Sequence, residues 1–281
     1  PHRLQYLAEK EEKQMSCSTG FSISAVALSV VTGALAAAGK TECSAREAIL
    51  SGLGNTLLLS LLTCLSVCIR EAEPFIRKAV LALLTLGLAA ELAETILQAQ
   101  QAAQQEFRSM ALIGFLPLLL WIGWSLPPES WNAPARVLWW FALLGGVVLI
   151  GGLWGQMCWP GLAAEGPSQF GGFCKSFFCT EFFLWPLLCP DVVPGRAVCL
   201  PWLSYAAQAG AALGMGLLFG GRDDYPVMEL LRAWSIGAFS RADALLILIW
   251  LACAVYRICF LCAALRICLE RLSGTERKAV S

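Results

Sequence analysis

Two ionisable residues, Glu181 and Arg257, lie inside stretches that are otherwise apolar. A charged side chain in a bilayer core costs a few kcal/mol, so such a residue usually has a partner or a function. Glu181 could hold an ammonium group or a proton, or it could be a structural acid packed against a neighbouring helix. Arg257 could face a cavity or pair with an acid, or its long side chain could reach the membrane interface. We expect Glu181 and Arg257 to neutralise one another.

A second group of polar residues falls on one stripe of a predicted helix. The stripe consists of Glu91, Glu94, Thr95, Gln98, Gln101 and Gln105. These side chains could line a polar path beside the helix. The alternative, which we favour, is that the helix projects from the membrane here and the stripe is its wetted face.

The residue inventory argues against covalent catalysis. The only histidine is His2, in a polar segment, so a catalytic or metal site built on histidine is not expected. Cys259 and Cys262 form a C-x-x-C motif, but they lie in an apolar helix without a second cysteine pair, which favours packing. We predict no enzyme activity, no catalytic residues, no metal and no cofactor.

The chain is far more apolar than a soluble domain. Of its 281 residues 58% are hydrophobic and 14% are charged, whereas soluble domains carry about 25% charged residues. Five stretches have no charge over 19 or more residues: 21–39, 48–69, 109–128, 137–164 and 197–221. A membrane-spanning helix needs about 20 apolar residues. These features predict an all-α integral membrane protein, and the zero net charge gives no indication of a nucleic-acid partner.

Hydropathy and proline or glycine breaks divide the chain into about eight predicted transmembrane helices in a single domain, 21–270. The predicted helices are 21–38, 48–69, 76–98, 109–126, 136–157, 174–190, 197–219 and 242–267. The sixth is short and interrupted by Glu181 and Pro186. The glycine pairs 151/155 and 210/214 predict close helix packing.

The tails are predicted to lie in the cytoplasm. Residues 1–20 and 271–281 are polar, and placing them inside puts more of the loop Lys and Arg residues on the inner side. The prediction is a multi-pass protein of the cell membrane.

Residues 225–267 carry an ordered series of polar and aromatic positions. The series is Tyr225, Pro226, Leu230, Leu231, Arg232, Ser235, Ile236, Gly237, Phe239, Arg241, Asp243, Ala244, Leu245, Ile249, Trp250 and Arg257. This segment resembles the helix 7–8 region of the endospore germination permease family. That family supplies the B subunit of spore germinant receptors and belongs to the amino acid–polyamine–organocation superfamily.

The resemblance implies a fold and a site. The family has ten helices in two inverted five-helix repeats, like the leucine transporter, and eight are predicted here, so a truncated version of that bundle is expected. The family holds its ligand mainly with helices 1, 3, 6 and 8, and helix 1 unwinds near a glycine. The ligand-binding candidates here are then Thr32, Gly33, Thr180, Glu181 and Arg257.

The function implied by the resemblance is germinant sensing. The protein would bind an amino acid or similar small germinant in the lipid bilayer, in the spore inner membrane, and pass the signal to the other receptor subunits. One alternative is a secondary amino-acid transporter of the same superfamily. Another is a truncated structural remnant that binds nothing.

Overall fold

The computed structural model describes residues 20–38, 45–69, 73–107, 111–157, 179–188, 194–219 and 242–273. Within these ranges the chain forms eight α-helices and two short 3-10 helices, and no strand. The α-helices are α1 (Ile23–Ala38), α2 (Ala45–Ile69), α3 (Pro74–Phe107), α4 (Ala111–Ser125), α5 (Asn132–Leu153), α6 (Glu181–Leu188), α7 (Pro194–Phe219) and α8 (Ala242–Ser273). The 3-10 helices, Pro128–Trp131 and Trp154–Gln156, flank α5. The all-α prediction is confirmed for the described residues.

Each predicted helix overlaps one observed helix, but some ends differ. Helix α3 continues to Phe107 instead of ending at 98, and α8 continues to Ser273 instead of 267. Both extensions are rich in Ala, Gln, Glu, Leu and Arg, which favour helix without being uniformly apolar, so hydropathy alone misses them. Residues 179 and 180, predicted as helical, precede the start of α6. Of the predicted tails, only residue 20 and residues 271–273 lie within the described ranges.

Membrane compatibility follows from the length and composition of the helices. Four described segments are long and apolar enough to cross a bilayer: Gly52–Ile69, Pro74–Gln104, Pro128–Leu153 and Ala244–Ser273. Two shorter apolar helices, Ile23–Ala37 and Leu112–Ser125, accompany them. The prediction of a membrane protein is thus supported in its general form, and eight crossings stay a prediction.

Large apolar side chains cover much of the outer surface. Trp140, Trp154, Leu83 and Leu86 are each at least two-thirds exposed. Burial differs strongly between helices: 61% of the segment Ala244–Ser273 is buried, against 11% of Pro128–Leu153. An exposed apolar surface of this kind suits contact with lipid rather than water. Helix α8 is therefore central to the bundle, and α5 is peripheral.

Helices α1 and α8 organise the packing. Helix α1 packs against α5, α7 and α8, and α8 also packs against α3, α4 and α5. Helix α2 packs against α6 and α7. The N-terminal end of α1 is fixed by neighbouring helices: the Trp139 indole donates to the Ser24 carbonyl at 2.9 Å, and the Ser22 amide donates to Asn132 at 2.8 Å. These contacts fix the position of α1 beside α5.

The buried face of α2 is polar but satisfied by its own backbone. The hydroxyls of Thr56, Ser60 and Thr63 each donate to the carbonyl four residues earlier, at 2.7–2.8 Å. Such bonds let small hydroxyl residues be buried without unpaired donors. Helix α2 can thus bring small side chains against α6 and α7.

The glycine contacts found among the described residues lie elsewhere than at the predicted pairs. Against the described residues, a Cβ built at Gly151, Gly155 or Gly210 meets no atom within 4 Å, so close packing at these pairs stays a prediction. A close contact between two helices is present at Gly123 of α4, where a Cβ would lie 2.7 Å from the Cys259 carbonyl oxygen.

The predicted packing role of the C-x-x-C motif fits this contact. The Cys259 thiol donates to the Leu119 carbonyl at 3.5 Å, and the Cys262 thiol donates to the Leu120 carbonyl at 3.4 Å. Both cysteines are buried and face α4. The α4–α8 contact therefore combines a glycine with two small thiols.

We expect Gly123→Ala to destabilise the fold by about 1–3 kcal/mol, as overpacking does in a well-packed core. Its added methyl would collide with the α8 backbone at Cys259 and with Cys262 Cβ at 2.9 Å. The measurement is thermal unfolding in detergent. Gly114→Ala in the same helix is the matched control, because a Cβ there meets nothing within 4 Å. Equal melting temperatures for the two variants would contradict the close approach.

Candidate ligand-binding site

A cluster of charged and polar side chains is buried where α1, α3, α6 and α8 meet. Its centre is Arg257 of α8, whose side chain is 5% exposed. The guanidinium Nη2 lies 3.3 Å from Glu181 of α6 and 3.3 Å from Glu91 of α3. The predicted Glu181–Arg257 ion pair is present, and Glu91 is a second acidic partner. We call these residues, with Ser29, Gly33, Thr95, Cys179 and Thr180, the Arg257 cluster.

The remaining nitrogens of Arg257 also have partners. Its Nη1 donates to the Ser29 carbonyl of α1 at 2.5 Å, and its Nε donates to Thr95 Oγ1 of α3 at 3.2 Å. The Cys179 sulfur lies 3.8 Å from Nη2. The guanidinium is therefore fully enclosed, which rules out the alternative that it reaches the membrane interface in this conformation.

Glu181 is the first residue of α6 and is 2% exposed. Its Oε1 accepts from the Ser29 hydroxyl at 2.9 Å, and its Oε2 accepts from the Cys179 thiol at 2.6 Å. A negative charge at a helix N-terminus is also favoured by the helix dipole. These contacts also hold α6 in place, so they are compatible with the alternative that Glu181 has a structural role only.

Glu91 joins α3 to the start of α6. Its Oε1 accepts from the Thr180 amide at 2.6 Å and from the Thr180 hydroxyl. The first amides of a helix have no partner within the helix, and the carboxylate of Glu91 satisfies one at this end. Helix α6 thus begins at a side chain supplied by α3.

The favoured interpretation of the α3 stripe was wrong for Glu91 and Thr95, which are in the Arg257 cluster. For Glu94, which is exposed and accepts from Gln98 at 3.2 Å, it stays a prediction. The distinguishing signal was present in the sequence. Leu84, Leu88, Glu91 and Thr95 recur at alternating steps of four and three residues, the spacing of one helix face. That face is the buried one.

Two glycines make room for the cluster. A Cβ at Gly33 of α1 would overlap the Arg257 guanidinium, and a Cβ at Gly87 of α3 would lie 2.7 Å from Thr180 Cγ2. Of the predicted site residues, Gly33, Thr180, Glu181 and Arg257 are brought together. Thr32 is buried beside them, but its hydroxyl donates to the Leu28 carbonyl of its own helix at 2.8 Å.

The unwinding of helix 1 that the resemblance implies is absent in this conformation. Helix α1 runs without interruption from Ile23 to Ala38, through Thr32 and Gly33. The segment contains no proline and consists mostly of Ala, Val and Leu, so a single glycine does not break it. Gly33 serves instead to admit the guanidinium.

The far end of α6 is also held from outside. Arg271 of α8 donates to the Leu187 carbonyl at 3.0 Å and to the Leu188 carbonyl at 2.8 Å. An arginine near a helix C-terminus donates to carbonyls that have no partner within the helix, and its positive charge is favoured by the helix dipole. Pro186 lies inside α6, and the helix continues past it to Leu188, so the predicted interruption is at the start of the helix and not at the proline.

Chemically, the Arg257 cluster can hold positive charge. One ligand atom from each of Glu91, Cys179 and Glu181 lies within 4.8 Å of the others, a set that could bind a metal ion although none was predicted. The Arg257 guanidinium already lies against all three. A metal ion or an ammonium group would require this guanidinium to withdraw, whereas a proton on one of the carboxyl groups would not.

No protein-family model, curated protein or solved structure matches the chain. Residues 225–241, which carry most of the resemblance to germination permeases, lie outside the described residues. Arg257, the last position of that series, lies at the centre of the cluster. The Arg257 cluster is therefore the described feature of the chain that bears on its function.

Proposed function

We propose that the chain is a germination permease-like membrane protein that senses a small germinant, such as an amino acid. The observation that supports the proposal is which helices supply the residues of the Arg257 cluster. Its residues come from α1, α3, α6 and the segment before it, and α8. The resembled family holds its ligand with the same four helices. The site would lie inside the cell membrane, in the inner membrane of the spore.

The helix contacts support the inverted-repeat architecture. With a repeat of five helices, α1 would correspond to α6, α2 to α7 and α3 to α8. Helix α1 packs against α7, and α6 packs against α2; likewise α1 packs against α8, and α6 packs against α3. Under this correspondence the α1–α7 contact becomes the α6–α2 contact, and the α1–α8 contact becomes the α6–α3 contact. A truncated eight-helix version of the leucine-transporter-like bundle accounts for this exchange.

The cluster offers complementary groups for both ends of an amino acid. The carboxyl groups of Glu181 and Glu91 suit an α-ammonium, and the guanidinium of Arg257 suits an α-carboxylate. Because these groups pair with one another here, a ligand must replace the contacts that hold α1, α3, α6 and α8 together. Ligand binding would thus change helix packing, and the change would be passed to the other receptor subunits without covalent chemistry.

Ligand-induced thermal stabilisation of the full chain in detergent tests the proposal. The ligands screened are amino acids and nucleosides. A ligand at 100 times its Kd should stabilise the fold by about 2.7 kcal/mol. We expect a shift with one amino acid that is lost in Glu181→Gln and kept in Glu94→Gln, a change at an exposed acid three residues from Glu91.

The outcomes distinguish the alternatives. No shift with any ligand, in a chain shown to be folded, would overturn the sensing proposal and favour a structural remnant. A shift accompanied by uptake of the same amino acid into proteoliposomes would identify a secondary transporter instead. Binding without uptake is the result expected of a sensor.

A further inference from the structure

The Arg257 cluster contains more acids than bases. Its charged residues are Glu91 from α3, Glu181 from α6 and Arg257 from α8, and Cys179 adds a thiol. Helix α1 contributes the uncharged Ser29 and Gly33.

The other helices packed on this region add no buried charge in their described parts, and Arg136, the charged residue of α5, is exposed. Helix α4 contains no charged residue, and the buried polar residues of α2 and α7, which pack on α6, are Asn, Ser, Thr and Gln. On α8 the next described charged residue is Arg266, nine positions away, or about 13 Å along the helix. Ionisation of both acids would therefore leave the described part of this site with one uncompensated negative charge.

Such a charge is unfavourable in the observed geometry. An oxygen of Glu91 and an oxygen of Glu181 lie within 4.8 Å of each other, both carboxyl groups lie 3.3 Å from the same Arg257 nitrogen, and Glu181 is 2% exposed. Two carboxylates ionised at this separation in a low dielectric repel each other strongly. A single proton on one of the two carboxyl groups removes this repulsion and balances the charge.

We propose that the pair Glu91 and Glu181 holds one exchangeable proton, carried by Glu91. Three donors contact each acid: Ser29, Cys179 and Arg257 for Glu181, and the Thr180 amide, the Thr180 hydroxyl and Arg257 for Glu91. Glu181 is in addition the first residue of α6, where the helix dipole favours its ionised form. The Glu91 side chain is 14% exposed against 2% for Glu181, so Glu91 is the acid that can exchange its proton. The cluster then contains one neutral acid and one ion pair.

This proton couples ligand binding to the protonation of the site, an inference that rests on the proposed function. A zwitterionic amino acid brings one charge of each sign: its carboxylate pairs with Arg257, and its ammonium compensates one of the two acids. The second acid still needs the proton, so an amino acid binds with the proton retained on Glu91. A cationic amine without a carboxylate leaves Arg257 paired with one acid and supplies the positive charge that the proton supplied before. The O–H bond of Glu91 then breaks, its electrons remain on the carboxylate and the proton passes to water.

Infrared spectroscopy of the full chain in lipid nanodiscs, without ligand, tests the proton directly. The readout is the carbonyl stretch of a protonated carboxylic acid, identified by its shift in D2O. Exposed acids are ionised at neutral pH. We expect the band in the parent chain at neutral pH, its loss in Glu91→Gln and its retention in Glu94→Gln.

A second variant covers the case in which Glu91→Gln fails to fold. Glu181→Gln leaves one acid for one guanidinium, so Glu91 should ionise and the band should also be lost. A folded parent without the band, or a band that persists undiminished in either cluster variant, would overturn the proposal. The spectrum is recorded without ligand. A chain that shows the band but binds no amino acid would therefore contradict the proposed function and still support the proton site.

Discussion

Replacement of Arg257 by Gln is expected to destabilise the folded chain by about 3–5 kcal/mol, the usual cost of removing one partner of a buried ion pair. The variant leaves Glu91 and Glu181 buried without a cation, and the Ser29 carbonyl and the Thr95 hydroxyl each lose a donor. Thermal or denaturant unfolding in detergent measures the effect. The matched control is Arg77→Gln, at an exposed position of α3, which should change stability by less than about 0.5 kcal/mol.

A double variant separates the charge from the size of the side chain. Arg257→Gln combined with Glu181→Gln removes a charge of each sign, so we expect it to be more stable than Arg257→Gln alone. Groups in one ion-pair network are typically non-additive in this way. If Arg257→Gln melts with the parent, or if the second substitution only adds to the loss, Arg257 does not hold the cluster together.

Replacement of Gly33 by Ala should have the second largest effect. Its methyl group would occupy the place of the Arg257 guanidinium, so the guanidinium must leave its positions beside Glu91 and Glu181. We expect a loss of at least the about 1–3 kcal/mol of an overpacked core, together with loss of any ligand response. The measurement is the melting temperature with and without the amino acid found in the ligand screen.

Two comparisons isolate the collision at Gly33. Gly54→Ala in α2 adds the same methyl where nothing lies within 4 Å, and it should be neutral or slightly stabilising. In an Arg257→Gln background the shorter side chain does not reach Gly33, so Gly33→Ala should cost little more. A large additional loss there would mean that Gly33 matters for a reason other than Arg257.

The sequence predicted seven of the described helices to within a few residues at most ends, because each of these overlaps a long apolar run, whereas residues 179 and 180 of the predicted sixth helix are not helical. Hydropathy located α1 to within two residues at its start and α4 to within two at both ends. The method failed where a helix continues as a polar segment, as in α3 beyond residue 98. The close helix contact at Gly123 was not predicted, because the spacing of glycines does not say which face of a helix has a neighbour.

The site was predicted in part. Glu181 and Arg257 were identified from their cost in an apolar environment, which requires a partner whatever the fold. Glu91 was assigned to a wetted surface because it lies beside Glu94 and several glutamines. Sequence alone could not show that the start of α6 lies against α3 at this position. That contact, from Glu91 to the Thr180 amide, is a tertiary one.

Helix α6 is only eight residues long, or about 12 Å at the helical rise, and other helices hold it at both ends. Glu91 of α3 binds Thr180, the residue before its first turn, and Arg271 of α8 binds its last carbonyls. It therefore cannot slide along its axis while both contacts last. If only the Glu91 contact opens, α6 stays attached to α8 at both ends, through Arg271 and through the Glu181–Arg257 ion pair. A change of one charge at Glu91 would thus alter the contact of α6 with α3 while its contact with α8 is kept.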